Sequence, residues 1–439
     1  MRRLPDGPRS VRGFTLPNGL EVLLAPIPQS PTASVWVWYR VGSKNEWPGV
    51  TGASHWVEHM LFLGSPKYPK GSIDRAVIGV GGHLNAFTDY DFTAYFSTVP
   101  REHLEVPLDI EADRMTRALI APAEVERERT VIRSEREGNE NWPEFRVDEE
   151  LGELAFRRHP YRWDPLGYPE DIRAMTPQQL GDYYHRFYGT RNAVLVIAGG
   201  FDPTEVTRDV RSRFGRLPRW GDDPTVHVTE AEPVAERRAR LGGPGTPPYL
   251  EVGFRAPGVR DPGAAAVILL DVLLGGETRL FAVGHGWGPS GEHPSSRLYR
   301  ALIDSGLAVK ARSQFRPRLY PGLFLIEAQA SPNVPLDRLE STIHEETARL
   351  ARAPPTAAEM AESRQKIRRG AELAYEGASG TAFRLGYFAM LGGRKFERSL
   401  LRSLLSVTPR EVQAAAQRLF RKERRLVVGY EPTGGARAS

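Results

Sequence analysis

The chain has 439 residues, 40% of them hydrophobic, which suits two or three domains with real cores rather than one ordinary domain. It has no cysteine, so disulfides, thiol catalysis and cysteine-rich zinc modules are excluded, and any metal must be held by the 10 histidines and the carboxylates. The net charge of +5 does not make it a nucleic-acid binder: only 7 of 59 basic residues are lysine, and the arginines lie scattered among Asp and Glu with no aromatic-interleaved basic stripe.

In chain order, Met1-Arg2-Arg3 is basic, but no apolar run follows it and no stretch reaches membrane-spanning length. The expected location is therefore the cytoplasm, with no membrane partner. Asn18-Gly19 between Leu16 and Leu20 marks a hairpin. Trp36 to Gly42 alternates as a strand, and Trp47-Pro48-Gly49 turns the chain into a helix that ends near Leu63-Gly64. That helix carries His55-Trp56-Val57-Glu58-His59. Residues four apart on a helix lie one above the other, so His55 and His59 project together at a spacing that suits a zinc ion. Glu58 shares their face without having to bind the metal, which is where a general base for an attacking water belongs. The order H-x-x-E-H is the inverzincin signature.

A third ligand must come from elsewhere, since a hydrolytic zinc site wants three protein ligands. Glu124 to Glu137 is a charged helical stretch with an apolar side at Val125, Val131 and Ile132. Glu128 and Glu135 lie seven apart on one face of it, so one can bind the metal while the other supports it from behind. Their positions alone do not choose between them.

The rest of the chain repeats the first part. Thr176-Pro177-Gln178-Gln179 and Thr408-Pro409-Arg410-Glu411 both open helices with a capping box, and each leads after eighteen residues to an apolar strand, from Val194 and from Leu426. Leu250 to Ala256 is the strand that matches Trp36 to Gly42, and Asp261-Pro262-Gly263 turns into a helix from Ala264 to Leu274 whose counterparts of the metal motif are apolar. The reading is an α+β chain of two homologous halves, each a mostly antiparallel sheet packed with helices. Residues 1–218 form the half with the zinc motif, 219–236 an exposed linker rich in Pro, Asp and Glu, and 237–439 the half without the motif. Glu277 to Pro294, a Gly-rich stretch with His285, Trp287 and His293, reads as an inserted surface loop.

His55-x-x-Glu58-His59 followed by Met60-Leu61-Phe62-Leu63-Gly64, Leu84 to Thr88, Glu128 to Glu135, and His159-Pro160-Tyr161 leading to Asp171-Ile172 together resemble the pitrilysin/insulinase family of zinc peptidases. The size and the duplicated halves look most like the branch that includes mitochondrial processing peptidase and its bacterial relatives. The resemblance implies one zinc ion per chain, held by His55, His59 and Glu135, with Glu128 supporting the site and Glu58 as general base. It implies halves that face each other like a clam shell around short or unfolded peptides. It also implies that Asn85, Ala86 and Phe87 lie on an edge strand that pairs with the substrate backbone, a use physics supports because an edge strand offers free N–H and C=O groups.

Active members of that family carry an Arg and a Tyr in the second half that hold the substrate carbonyl. The Arg matches Arg297, but the Tyr position holds Val309, which donates no hydrogen bond. The expectation is a heterodimer, in which a homologous subunit without the zinc motif supplies the Arg–Tyr pair; a homodimer is the alternative. The rival functions are a non-catalytic scaffold or assembly subunit of the same fold, and a zinc hydrolase acting on something other than peptides.

Overall fold

The computed structural model describes residues 11–244, 248–275, 294–393 and 395–433. The proposed loop from Glu277 lies outside the described residues except for Pro294. The first half runs β1 (Arg12–Thr15), β2 (Glu21–Pro26), β3 (Thr32–Tyr39), α1 (Ala53–Met60), α2 (Ser72–Gly79), β4 (His83–Thr88), β5 (Thr93–Pro100), α3 (Glu105–Arg117), α4 (Pro122–Glu140), α5 (Pro143–Ala155), α6 (Pro169–Ala174), α7 (Pro177–Phe187), β6 (Ala193–Gly199) and α8 (Pro203–Phe214). The second runs β7 (Arg237–Gly243), β8 (Tyr249–Ala256), α9 (Ala264–Leu274), β9 (Ala308–Phe315), β10 (Gly322–Ala330), α10 (Leu336–Arg352), α11 (Ala357–Leu373), α12 (Gly377–Gly392), α13 (Phe396–Ser406), α14 (Pro409–Leu419) and β11 (Arg425–Pro432). Among the described residues no helix is long and apolar enough to cross a membrane.

The two sheets share one plan. The first has the order β1-β2-β6-β3-β5-β4 and the second β7-β11-β8-β10-β9. Apart from the extra β1, the strands correspond one to one, and each sheet has a single parallel pair at the same place, β2 with β6 and β7 with β11. Both expected capping boxes are present: Thr176 and Thr408 each accept from the backbone N–H of the third helical residue, whose side chain bonds back. The duplication read from spacing is therefore a duplication of fold. The stretch between α8 and β7 carries no helix or strand and is pinned rather than loose. The Glu230 carboxylate accepts from three consecutive backbone N–H groups, Arg157, Arg158 and His159, at 2.8–3.0 Å.

Each sheet buries both faces. Val35, Val37 and Tyr39 of β3 point to a core under α1, α3, α7 and α8, while Trp36 and Trp38 point the other way. That second face is covered by α12 of the other half, through Ala382, Phe383, Ala389 and Met390. The second sheet is covered in return by α5 of the first half, whose Val147, Leu151 and Ala155 pack on Tyr249, Leu325, Leu426, Val428 and Tyr430. The helices approach closely because glycines sit at the contacts. A Cβ on Gly386 of α12 would stand 2.0 Å from the Trp38 indole nitrogen, and one on Gly253 of β8 2.7 Å from a Leu151 methyl. Polar ties cross the same boundary: Asp91, which also accepts from the Tyr161 hydroxyl of its own half, accepts from the Leu319 N–H at 3.0 Å, and Arg316 pairs with Asp148 at 2.9 Å.

Gly386→Ala is expected to force α12 off the first sheet at a cost of about 1–3 kcal/mol, as overpacking does. Urea unfolding followed by probes in each half should show both halves losing stability together; a loss confined to the second half would contradict the interlocked packing.

Candidate metal centre

Helix α1 is short and almost wholly buried, with Ala53 to Glu58 and Met60 all out of solvent. Its first turn is anchored from four directions. The buried Glu46 carboxylate accepts from the backbone N–H groups of Gly52 and Ser54 at 2.8 Å each, an N-terminal cap supplied from the preceding loop. Burial pushes that carboxyl up to about 8, against the pull of those two donors. Gly52 has φ +86°, and a Cβ there would lie 2.7 Å from the Leu166 carbonyl oxygen, so only glycine fits. Ser54 shares a hydrogen bond with the Tyr183 hydroxyl at 2.7 Å, and the Tyr188 hydroxyl donates to the Ser54 carbonyl at 3.1 Å. Asp171 holds the approach loop by accepting from Gly49 N, Thr51 N and the Thr51 hydroxyl.

Helix α4 lies against α1, with Val125 and Ile132 buried in the core they share. Arg129 fixes its placement. The guanidinium stands 4.9 Å from the Trp56 ring centroid and donates to the carbonyls of Ile172 and Met175, joining α4, α1 and α6. In this arrangement Glu135 Oε2 is 3.6 Å from His55 Nε2 and 3.6 Å from His59 Nε2. The three donor atoms all lie within 4.8 Å of one another. Ligands on a tetrahedral zinc at its usual bond lengths stand roughly 3.3 Å apart, so the two Glu135 distances are close to that spacing. Two imidazole nitrogens and a carboxylate oxygen are also a donor set that zinc takes.

Glu128 does not face the trio. Its Oε2 lies 3.1 Å from His59 Nδ1, behind the ring, so the hydrogen bond assigns the proton to Nδ1 and leaves Nε2 free toward Glu135. Glu135 thus stands beside the two imidazoles and Glu128 behind one of them, a difference in placement that the helix face alone does not show. Burial depresses the His55 imidazole to about 3, with a smaller push from His59, so it is neutral and able to donate a lone pair. Burial also pulls His59 down, but the Glu128 bond and the charges of Glu58 and Glu135 outweigh it and the ring holds its proton above the ordinary histidine range. A dication at Nε2 competes with that proton.

Glu58 is buried beside the trio. Burial pushes its carboxyl up to about 7, against the pull of a hydrogen bond from the Thr88 hydroxyl, Oγ1 to Oε2 at 2.5 Å, and of His59. A carboxyl poised near neutrality can take up a proton and return it. The sequence places Thr88 only at the end of the edge-strand segment from Asn85, and gives Glu46 no role. Thr88 carries a signal in hindsight, since strand alternation puts it on the same face as Leu84 and Ala86, toward the helices. No spacing rule links Glu46 to the helix it caps.

Strand β4 is the outer strand of the first sheet, paired only with β5. Asn85 is exposed, and Ala86 packs on the helical side. The Phe87 ring points the opposite way, into the aromatic cluster with Trp36, Trp38, Phe92 and Phe383. Arg297 is engaged within the second half. Its guanidinium is paired with Glu359 of α11 at 2.8 and 3.2 Å, and among the described residues it has no contact with the trio. Glu359 belongs to the capping box of that helix, which explains the engagement: the carboxylate is already fixed there by Thr356. Val309 is half exposed on β9, the edge strand that corresponds to β4.

Comparison with known proteins agrees with this fold. Residues 21–167 match the model of the insulinase family, peptidase family M16, and residues 174–367 match that of the peptidase M16 inactive domain. An uncharacterized zinc protease of Mycobacterium leprae is 30% identical over 424 residues, 93% of this chain and 89% of that one. The mitochondrial-processing peptidase subunit beta of Blastocladiella emersonii is 27% identical over 420 residues, 95% of this chain and 88% of that one. A protease from Helicobacter pylori has the same fold, with a TM-score of 0.89, 24% identity, and coverage of 98% of this chain and 100% of that one. The chain belongs to the insulinase (M16) family of peptidases.

Glu128→Ala is expected to lower zinc affinity roughly 10- to 100-fold by freeing the His59 ring, with the fold intact. Competition with a chelator of known affinity measures this. Glu135→Ala should cost more; equal effects at the two positions would contradict their different placements.

Proposed function

We propose that this chain is a zinc-dependent endopeptidase that cleaves short or unfolded peptides. The observation that carries the reading is the buried Glu58 carboxyl, held by Thr88 beside the converging His55, His59 and Glu135. A non-catalytic scaffold of the same fold has no need for a buried acid aimed at three metal-donor atoms, and burying one is costly.

His55, His59 and Glu135 would hold the zinc ion. When bound, zinc supplies a Lewis acid that makes a water acidic near neutrality and polarises a carbonyl. The peptide lies extended along β4, where the backbone of Asn85 to Phe87 pairs with it and gives affinity with little sequence preference. Glu58 takes the proton of the attacking water at its free oxygen and later delivers it to the leaving amine. The developing negative charge on the substrate oxygen needs a hydrogen-bond donor. Arg297 is occupied by Glu359 and Val309 has no donor, which favours a donor from a partner subunit. A heterodimer with a homologous chain that lacks the zinc motif is therefore part of the proposal, with a homodimer as the alternative.

Glu58→Gln is expected to keep stoichiometric zinc and lose turnover of an unstructured peptide library by about 10² or more. Cleavage by the variant at the wild-type rate would remove Glu58 from its role. A co-purified partner from the native source is expected to raise the rate of the chain alone; full activity without any partner, in a monomer by light scattering, would overturn the assembly.

A further inference from the structure

The Thr88–Glu58 hydrogen bond is more than a neighbourly contact. Thr88 is the last residue of β4, and its partner across the sheet is Thr93 of β5. The Thr93 hydroxyl donates to the Val41 carbonyl at 2.9 Å and lies 3.3 Å from the Tyr188 hydroxyl, which in turn bonds to Ser54 in the first turn of α1. The end of β4 is thus tied to the helix that carries Glu58 through two routes, one by way of Thr93 and Tyr188 and one direct. A threonine at this place is stiff, because branching at Cβ restricts χ1. A glutamate is not, and loses rotamer freedom when held. Among the described residues no other group donates a hydrogen bond to Glu58. One oxygen is therefore occupied and the other, Oε1, is left for the proton.

We propose that Thr88 is a positioning residue that holds Glu58 in the one rotamer from which Oε1 meets the attacking water. This rests on the peptidase reading above. Because Thr88 ends the edge strand, a peptide that pairs with β4 also runs up to the residue that aims the base, so docking and proton transfer share one support. A base misplaced by an ångström loses rate and not affinity, and the loss is on the order of 10².

Three variants test this. Thr88→Val keeps the shape and removes the hydroxyl; it should lower kcat about tenfold to a hundredfold, leave KM unchanged and keep the zinc content of wild type. Thr88→Ser restores the hydroxyl and should recover most of kcat. Thr88→Ala checks that the loss follows the hydroxyl and not the valine methyl. Crystals of the zinc-loaded proteins give a second readout that does not depend on turnover: Glu58 should occupy one rotamer in wild type and Thr88→Ser, and more than one in Thr88→Val. Wild-type kcat in Thr88→Val, a loss carried by KM, a Thr88→Ser variant as impaired as Thr88→Val, or an unchanged Glu58 rotamer would each overturn the proposal. If wild type itself cleaves no peptide, the peptidase reading fails, and the rotamer comparison still decides what Thr88 does.

Discussion

Each of the two sheets has a face that its own half cannot cover. The first sheet presents Trp36 and Trp38 on that face and the second presents Tyr249, Val428 and Tyr430, and each is closed by a helix from the other half. Leaving either face in water would be costly, since each large side chain taken out of water contributes about 1.5–3 kcal/mol. The exchange of α5 and α12 therefore makes the halves one folding unit, although the sequence is a plain tandem duplication. It also gives β3 a rigid backing, and β3 is the strand from which the chain turns into the metal helix.

On that backing the first half specialised. Its α1 buries a histidine and a glutamate among Trp56, Val57 and Met60, while the matching α9 is apolar except for Asp271. A short helix with buried polar groups needs its ends fixed by partners, and α1 has them in Glu46, Tyr183, Tyr188 and Asp171. In α9 the remaining acid, Asp271, is turned to structure: its carboxylate accepts from the Ser313 hydroxyl and the Phe315 N–H. One half keeps polar groups aimed at a common point and the other spends the same helix on its core.

The parts of the site readable in the sequence are those set by local periodicity. A spacing of four on a helix brings His55 and His59 together wherever that helix packs, and a spacing of seven puts Glu128 and Glu135 on one face. What could not be read is how α4 rotates against α1. Arg129 decides that by reaching across to Trp56 and the carbonyls of α6, and only then does Glu135 turn to the imidazoles and Glu128 to the back of one ring. Phe87 is readable in part. Its place in an edge strand was foreseeable, yet strand alternation sends its ring to the opposite face, where a helix from the other half receives it.

By itself the sequence determined the helix that carries His55, Glu58 and His59 on one face, the two like halves with their capping boxes and strands, and the absence of the motif from the second half, because each is written in contacts between residues a few positions apart. The tertiary structure alone decided which glutamate meets the histidines, what holds Glu58, that Arg297 is taken up by Glu359, and that the halves trade α5 and α12. These depend on how elements tens to hundreds of residues apart dock and rotate, and side-chain packing at a distance leaves no periodic trace along the chain.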